Sequence, residues 1–222
     1  MSEINIDKIK LAGIIFGDGY ITKNGNICFR HSVFQKEYAD YKSSKLFEYF
    51  GLKTNKYLQK KNENSFSKND NYTISSHSKN WTKILRDEWY INSKKNIPPE
   101  IISNFKEEEW SFIYMDDGRL NKISHYNTIK SGIRERISTD AFVNRYEICL
   151  GYPSDEVIDS LIFSLKNNMG IDSSILVRKD GQRNISISKK DSKISFYEKI
   201  VKFIHPSMKY KIEILPVLDY LR

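Results

Sequence analysis

Cysteine is scarce in this chain, and nothing in its spacing suggests a zinc site. Cys28 and Cys149 lie far apart, and the four histidines show no zinc-like spacing. This usage fits a reduced intracellular setting and does not fit a structural zinc site. Long apolar runs and a signal-peptide core are also missing. We therefore expect a protein that neither crosses a membrane nor carries an export signal.

The length excludes one function that a short motif would otherwise suggest. Residues 114–117 read Tyr-Met-Asp-Asp, a string also found where polymerases that copy RNA hold their catalytic metal. Such a polymerase needs several large subdomains, whereas 222 residues suit one or two compact domains. A hydrophobic fraction of 39% still supplies enough apolar material for a folded core.

Positive charge is abundant and spread along the chain. The formal net charge is +8 and the pI is about 9.2. Basic residues recur throughout instead of gathering in a tail, which favours a broad polyanion-binding surface. Nucleic acid is the first candidate partner, and the alternative is the ordinary charged surface of a basic protein.

The order of patterns in the chain occurs twice. "DKIKLAGIIFGDGYI" and "EEEWSFIYMDDGRL" each lead from a charged start through an apolar segment to Asp-Gly. Strand-like "NICFRHSV" and "YEICLGYP" follow, which aligns Cys28 with Cys149, and each precedes a helical pattern that ends in glycine. Asn24-Gly25 and Asp180-Gly181 are typical of hairpin turns. The second copy carries a longer insertion after its acidic motif, rich in Lys and Arg.

These patterns predict an α+β fold built from two αββαββα halves with antiparallel sheets. We place the first half at residues 1–104, with its motif at 11–19, and the second at 105–222, with its motif at 110–118. The small residues Ala12, Gly13 and Gly17 would let the two motif helices pack closely and in parallel.

An acidic residue at the end of each first helix requires an explanation. A carboxylate at a helix C-terminus faces the negative end of the helix dipole, which costs roughly 0.3 to 1 kcal/mol. If the two helices pack side by side, Asp18 and Asp117 emerge together and form an oxygen-rich site suited to Mg²⁺. A plain Asp-Gly turn is the alternative for either motif alone, but its repetition favours the metal site.

The segments "LAGIIFGDG" at 11–19 and "WSFIYMDDG" at 110–118 resemble the signature helices of the LAGLIDADG homing endonucleases of the single-chain, two-motif type. The second motif departs from the family pattern, because Trp110, Ser111 and Phe112 stand where Leu-Ala-Gly is typical. The resemblance implies sheets that form a saddle over duplex DNA and signature helices at the interface of the halves.

The resemblance also implies a catalytic mechanism. Asp18 and Asp117 would bind Mg²⁺, with Mn²⁺ as a substitute, and Gly17 and Asp116 would offer backbone carbonyls. We expect a double-strand break with short 3′ overhangs. A basic residue in each half would lie near the reacting phosphate: Lys95 and Lys211 are our candidates, with Lys94 and Lys209 as close rivals.

Base reading and phosphate contacts are expected from strand residues that face the DNA groove. The candidates are Lys23, Asn24, Arg30, Gln59, Lys60 and Lys61 in the first half, and Arg119, Lys122, Arg134, Arg136, Arg178 and Arg183 in the second. Because the halves differ, we expect a monomer on a long non-palindromic site.

Two other functions are compatible with the same fold. An intron maturase would bind intron RNA and assist splicing, and an inactive descendant would bind DNA without cutting it. The intact pair of acids favours the nuclease. The sequence does not separate a mitochondrial, a bacterial cytoplasmic and a phage-encoded origin.

Overall fold

The computed structural model describes residues 6–60, 69–123, 126–128, 134–136 and 142–212. Lys61 lies outside these ranges, and at Lys122, Arg134 and Arg136 only the backbone is described. Among the described residues, none of the helices combines the length and the apolarity that crossing a bilayer requires.

The first part of the chain follows the predicted order of helices and strands. Its elements are α1 (Ile6–Ile15), β1 (Gly19–Ile21), β2 (Ile27–Ser32), α2 (Lys36–Phe50), β3 (Thr54–Gln59), β4 (Asn71–Ser76) and α3 (Asn80–Glu88). A short hairpin, β5 (Tyr90–Ile91) and β6 (Lys94–Lys95), and the helix α4 (Pro99–Ile102) then lead to the second part. The sequence did not predict this hairpin, whose strands have only two residues each.

The second part repeats the order with one addition. Its elements are α5 (Glu107–Asp117), β7 (Gly118–Ile123), β8 (Tyr126–Thr128), β9 (Arg134–Arg136), β10 (Phe142–Cys149), α6 (Asp155–Met169), β11 (Ser174–Val177), β12 (Arg183–Ile187) and α7 (Lys190–Ile200). The paired strands β8 and β9 belong to the predicted insertion. The boundary at residues 104 and 105 stays a prediction.

Each part forms an open, four-stranded antiparallel sheet. The strand order is β1-β2-β4-β3 in the first sheet and β7-β10-β12-β11 in the second. Gly25 and Gly181 adopt φ of +82° in the turns that join β1 to β2 and β11 to β12, as expected of Asn-Gly and Asp-Gly hairpins. The predicted fold of two αββαββα halves is confirmed.

The pairing of the strands corrects the predicted alignment of the halves by two residues. Gly19 is opposite Phe29 in the first sheet, and Gly118 is opposite Ile148 in the second. Phe29 therefore corresponds to Ile148, and Cys149 corresponds to Arg30 instead of Cys28. The sequence alignment of the two cysteines was wrong by two residues, a shift that leaves each position on the same face of its strand.

Each sheet has one face against the helices and one free face. In β2, Ile27, Phe29 and His31 are buried, whereas Arg30 is exposed. In β10, Tyr146 and Ile148 pack into the core. The free face of each sheet therefore carries the alternate positions, including Arg30 in the first sheet and Arg119 in the second.

Candidate active site and nucleic-acid interface

The two motif helices cross closely at the centre of the molecule. A Cβ on Gly13 would lie 2.6 Å from Glu109 Cβ, and a Cβ on Gly17 would lie 2.4 Å from Asp116 Cβ. Because successive positions of α1 meet successive positions of α5, the helices run in the same direction. Glycine at 13 and 17 permits this approach, so the predicted packing of the two motifs is confirmed.

Asp18 and Asp117 meet where the two helices end. A Cβ on Gly17, the neighbour of Asp18, would lie 2.7 Å from Asp117 Oδ2. Asp117 is the last residue of α5, whereas α1 ends at Ile15, so Asp18 lies three residues beyond its helix. The Asp18 side chain is 46% exposed. Both carboxylates are thus available at the junction of the two sheets.

Burial and mutual repulsion make both carboxylates hard to ionise. Burial, followed by the charges of Asp116 and Asp18, raises the pKa of Asp117 to about 7. Burial and the charge of Asp116 also raise the pKa of Asp18. Two acids that repel each other in this way gain stability from a cation between or beside them.

Lys95 and Lys211 direct their ammonium groups to the ends of the motif helices. Lys95 Nζ donates to the carbonyl oxygens of Gly17 at 2.7 Å and Gly19 at 2.8 Å. Lys211 Nζ donates to the carbonyl oxygen of Asp116 at 2.7 Å. A cation at a helix C-terminus is favoured by the dipole.

The same lysines have lowered pKa values. Burial lowers the pKa of Lys95 to about 8 and also lowers that of Lys211. Their rival Lys94 is exposed. The geometry therefore favours Lys95 over Lys94, and it places Lys211 at the backbone carbonyl of Asp116, next to the carboxylates.

Asp116 makes an ion pair that the sequence did not predict. Both of its carboxylate oxygens lie 2.6 Å from Lys42 Nζ, and Tyr38 donates a hydrogen bond of 2.8 Å to Oδ1. The side chains of Asp116 and Lys42 are fully buried. Burial opposes ionisation of Asp116, but the Lys42 ammonium lowers its pKa below the ordinary value. This burial excludes a solvent-exposed role for the Asp116 side chain.

The ion pair also holds the backbone of the first acidic motif. The amide of Asp18 donates to Asp116 Oδ2 at 3.1 Å. No such contact can form in the other direction, because Gly17, which corresponds to Asp116, has no side chain. Gly51 and Gly170 end α2 and α6 in the same left-handed conformation and so occupy equivalent positions in the two halves. Counted back from these glycines, the position that Lys42 holds in α2 is held in α6 by the buried Leu161. The polar cluster therefore exists on one side of the centre only.

His31 lies beside Asp18 on the helix-facing side of β2. Its Nδ1 is 3.5 Å from Asp18 Oδ2, and its side chain is 1% exposed. Burial, with the charge of Lys42, lowers the pKa of His31 to about 4, so the imidazole is neutral at pH 7. Its Nε2 has no hydrogen-bond partner among the described residues.

The donor set at the centre fits a divalent cation. Asp18, His31 and Asp116 each offer a ligand atom within 4.8 Å of the others, and the Asp117 carboxylate adjoins them. The carbonyls of Gly17 and Asp116 each accept from a lysine, but a carbonyl oxygen has a second lone pair. Carboxylates and carbonyls are the ligands that Mg²⁺ prefers.

The first free sheet face carries several predicted DNA-binding residues. Arg30 lies on the free face of β2, and Gln59 lies on the free face at the end of β3, since the alternate residue Leu58 is opposite the core residue Tyr72. Lys23 and Asn24 are exposed in the β1–β2 turn, and Lys60 is exposed just after β3. The structure thus brings these five side chains to one surface or its rim.

The second free sheet face is organised around a buried carboxylate. Glu147 is fully buried, accepts from Arg119 Nε at 2.7 Å and also pairs with Arg145. Arg119 remains 50% exposed. Glu147 therefore fixes the direction of two arginines without covering them.

Two further candidates in the second half have different placements. Arg178 is exposed at the β11–β12 turn. Arg183 is two residues from the core residue Ile185 in β12, so both side chains lie on the face of the sheet that packs against the helices. Arg183 forms an ion pair with Asp155 at the start of α6. The structure does not bring Arg183 to the free face with the other candidates.

Four residues were missed at the level of sequence: His31 and Lys42 at the centre, and Arg145 and Glu147 on the second free sheet face. His31 alternates with Ile27 and Phe29, and Lys42 stands four residues from both Tyr38 and Leu46 on the buried face of α2. A histidine or lysine at a position whose periodicity demands an apolar residue is the signal that could have found them.

Sequence comparison relates the chain to one protein family and to a relative from an archaeon. The profile of the LAGLIDADG DNA endonuclease family matches residues 10–194. The uncharacterized protein MJ1098 of Methanocaldococcus jannaschii is 26% identical over 214 residues, which is 95% of this chain and 74% of that protein.

Several solved structures share the fold. The homing endonuclease I-WcaI, bound to its DNA recognition sequence, has a TM-score of 0.71 and 22% identity over 94% of this chain and 86% of that chain. The I-SmaMI LAGLIDADG homing endonuclease bound to cleaved DNA has a TM-score of 0.53 and 14% identity, covering 95% and 87%. Full-length DUF199/WhiA from Thermatoga maritima has a TM-score of 0.52 and 13% identity, covering 99% and 62%.

Proposed function

The chain belongs to the LAGLIDADG DNA endonuclease family, and we propose that it is a site-specific homing endonuclease that cuts both strands of a long, asymmetric DNA target with Mg²⁺. The observation that carries this proposal is the meeting of Asp18 and Asp117 at the ends of two parallel, closely packed helices. Each helix leads into its own antiparallel sheet. One carboxylate is thus available for each half of a duplex laid across the two sheets.

Asp18 and Asp117 would hold the cations, and Lys95 and Lys211 lie beside them. When bound, Mg²⁺ or Mn²⁺ would polarise the scissile phosphate and lower the pKa of a water molecule. Asp18 and Asp117 supply the anionic oxygens, and the Gly17 and Asp116 carbonyls lie next to them. The pKa values of both acids are raised, and that of Asp117 is about 7. Below this pH a cation that binds to Asp117 must first displace its proton, so cation binding should weaken.

Lys95 and Lys211 would supply positive charge beside the reacting phosphate. Their ammonium groups lie within hydrogen-bond distance of helix-end carbonyls next to the acids. A phosphate that approaches the acids gains this positive charge, which would stabilise negative charge that develops in the transition state. We propose Lys95 and Lys211 as the catalytic lysines.

The free sheet faces would provide binding and specificity. Arg30 and Gln59 on the first sheet and Arg119 on the second have the chemistry to read base edges. Lys23, Asn24, Lys60 and Arg178 at the rims would contact phosphates. Because the two faces carry different residues, one chain would read a target without two-fold symmetry, and we propose a monomer divided near residues 104 and 105.

The proposal is tested by selecting cleaved molecules from a randomised duplex library in Mg²⁺. The parent protein should yield one long asymmetric site cut on both strands. Asp18→Asn and Asp117→Asn should each abolish double-strand cleavage, while Asp159→Asn, an exposed position on α6, should cut as the parent does.

Two results would contradict the proposal. Full cleavage by either Asp18→Asn or Asp117→Asn would show that these acids do not hold the catalytic metal. Recovery of bound but uncut sites from the parent would instead indicate a DNA-binding protein or an intron maturase, and intron RNA would then be the ligand to test.

A further inference from the structure

The two ends of the catalytic centre differ in their chemistry. Near Asp18 the chain places an imidazole, whereas the register of the sheets assigns Leu150 to the position that corresponds to His31. Asp117 therefore has no nitrogen ligand at the corresponding place. Pseudo-symmetric halves predict two similar cation positions, and this residue breaks the similarity.

We propose that His31 is an additional ligand of the cation held at Asp18, so that the two cation positions of this enzyme are chemically unlike. The assignment of His31 rests on the proposed function, because it takes Asp18 as a cation ligand. His31 Nδ1 and Asp18 Oδ2 would be the two protein ligand atoms at this position.

The geometry fits a shared ion. Nδ1 and Oδ2 are 3.5 Å apart, too far for a good hydrogen bond. Two ligand atoms that each lie about 2.1 Å from one ion are about 3.0 Å apart at the octahedral angle of Mg²⁺ and about 3.4 Å apart at a tetrahedral angle. The observed separation therefore leaves room for an ion between them without a change of the backbone.

The surroundings of His31 supply no competing role for Nδ1. The ring packs edge-on against Tyr38, with 5.2 Å between the ring centroids. Nε2 has no hydrogen-bond partner among the described residues, although buried polar atoms are usually satisfied. A buried imidazole with so few polar contacts is costly, and coordination through Nδ1 would offset part of that cost.

The Asp116 carboxylate lies within reach of Asp18 and His31, but its partner is the Lys42 ammonium and not the metal ion. Its oxygens hold the Lys42 ammonium at 2.6 Å, so it acts as a fixed carboxylate between Lys42 and the metal position. The remaining pair, one oxygen and one nitrogen ligand, is softer than the oxygen ligands that the Asp117 carboxylate and the Asp116 carbonyl offer. We therefore expect the Asp18 position to favour Co²⁺ over Mg²⁺ more strongly than the Asp117 position does.

Proton NMR with Co²⁺ alone as the probe tests the assignment directly. An imidazole bound to high-spin Co²⁺ through Nδ1 shows a strongly shifted, solvent-exchangeable Nε2 proton. We expect one such resonance in the parent and in Asp117→Asn, and its loss in Asp18→Asn and in His31→Phe. His31→Gln, which stays polar but has no imidazole, should lose it too. His77→Gln, at an exposed histidine, should retain it.

The outcomes separate this assignment from the proposed function. If the resonance persists in His31→Phe and His31→Gln, another histidine binds the ion and the assignment is wrong. If the parent shows no shifted resonance but Asp18→Asn still abolishes cleavage, His31 is not a ligand and the nuclease proposal stands. Circular dichroism and metal-free DNA binding verify that both His31 variants are folded.

Strand-resolved cleavage provides a second measurement. His31→Phe should slow the nick in one strand several-fold and leave the other nick near the parent rate, with the larger effect in Co²⁺. Equal slowing of both nicks would indicate a general structural defect and overturn the assignment.

Discussion

The carboxylate of Asp117 links folding to protonation. Its pKa is about 7 in the folded protein, against an ordinary value of 3.8. Between about pH 4 and pH 7 the folded state therefore keeps a proton that the unfolded state has lost. The contribution of this group to the free energy of unfolding is largest below about pH 4, and it disappears as the pH rises through 7.

We therefore predict a pH dependence that Asp117→Asn removes. The thermal midpoint of the metal-free parent, relative to that of Asp117→Asn, should fall between about pH 4 and pH 7, as measured by circular dichroism. Mg²⁺ at pH 7.5 should raise the midpoint of the parent more than that of the variant. A constant difference across this range would show that Asp117 ionises normally.

The Lys42–Asp116 ion pair should make a large contribution that depends on both partners. Lys42→Met leaves a buried, unpaired carboxylate and should lower the free energy of unfolding by about 3 to 5 kcal/mol in urea denaturation. Lys56→Met is the matched control, because Lys56 pairs with Asp40 at the surface, and it should change stability by about 0 to 1 kcal/mol.

A double variant separates charge from packing at the same place. Lys42→Leu with Asp116→Gly copies the residues Leu161 and Gly17 of the other half, and it should recover most of the stability lost in Lys42→Met. A double variant as unstable as Lys42→Met would show that the loss came from packing and not from an unpaired charge.

At the scale of elements, the crossing of α1 and α5 determines what the motif residues must be. Gly13 lies inside α1, where glycine is about 1 kcal/mol less favourable than alanine. Its missing side chain leaves space for Glu109, whose Cα would be 2.8 Å from a Cβ at position 13. Backbone cannot move aside as a flexible side chain can.

Gly13→Ala should therefore destabilise the protein although alanine is the better helix former. We expect a lower thermal midpoint and slower cleavage, since the acids at the helix ends shift with the helices. Ser44→Ala, on the exposed face of α2, should show the opposite sign with a small gain in stability. An unchanged or raised midpoint for Gly13→Ala would mean that the helices separate without cost.

Local patterns predicted the elements well but not how the halves align. Period-3.6 and period-2 patterns identified α1, α2, α5 and α6 and the strands beside them, because each buries one face. The alignment of Cys28 with Cys149 was wrong by two residues, since matching letters carry no information about strand pairing. The β5–β6 hairpin was missed because two-residue strands have no measurable period.

The centre was only partly predictable for a related reason. Asp18 and Asp117 stand out in sequence because they repeat. His31, Lys42 and Glu147 have no like residue at the equivalent position of the other half. Their importance comes from partners far away in the chain, such as Asp116 for Lys42. Pairings of this kind depend on how α2 packs on α5, which no local pattern encodes.

At the scale of the whole molecule, the basic surface should dominate the affinity for DNA. Each neutralised phosphate releases condensed counterions, so the logarithm of the binding constant should fall linearly with the logarithm of salt concentration. With 6 to 10 contacts, affinity should drop about 10³- to 10⁵-fold between about 50 and 200 mM salt in fluorescence anisotropy. A flat response would contradict an extended phosphate-contact surface.

Matched arginine variants locate that surface. Arg30→Ala, on the free face of β2, should weaken binding to the selected target and relax the preference at one base pair. Arg183→Ala, whose partner Asp155 lies at the start of α6, should bind nearly as the parent does. Equal losses would place both residues at the DNA.

The contact between Lys42 and Asp116 also limits how the protein can be recombined. Lys42 lies before the boundary proposed near residue 104 and Asp116 lies after it, so the pair joins the two halves. A chimera that takes only one half from this chain inherits a buried charge without its partner. Grafting a new specificity onto either half therefore requires Lys42 and Asp116 to be transferred, or replaced, together.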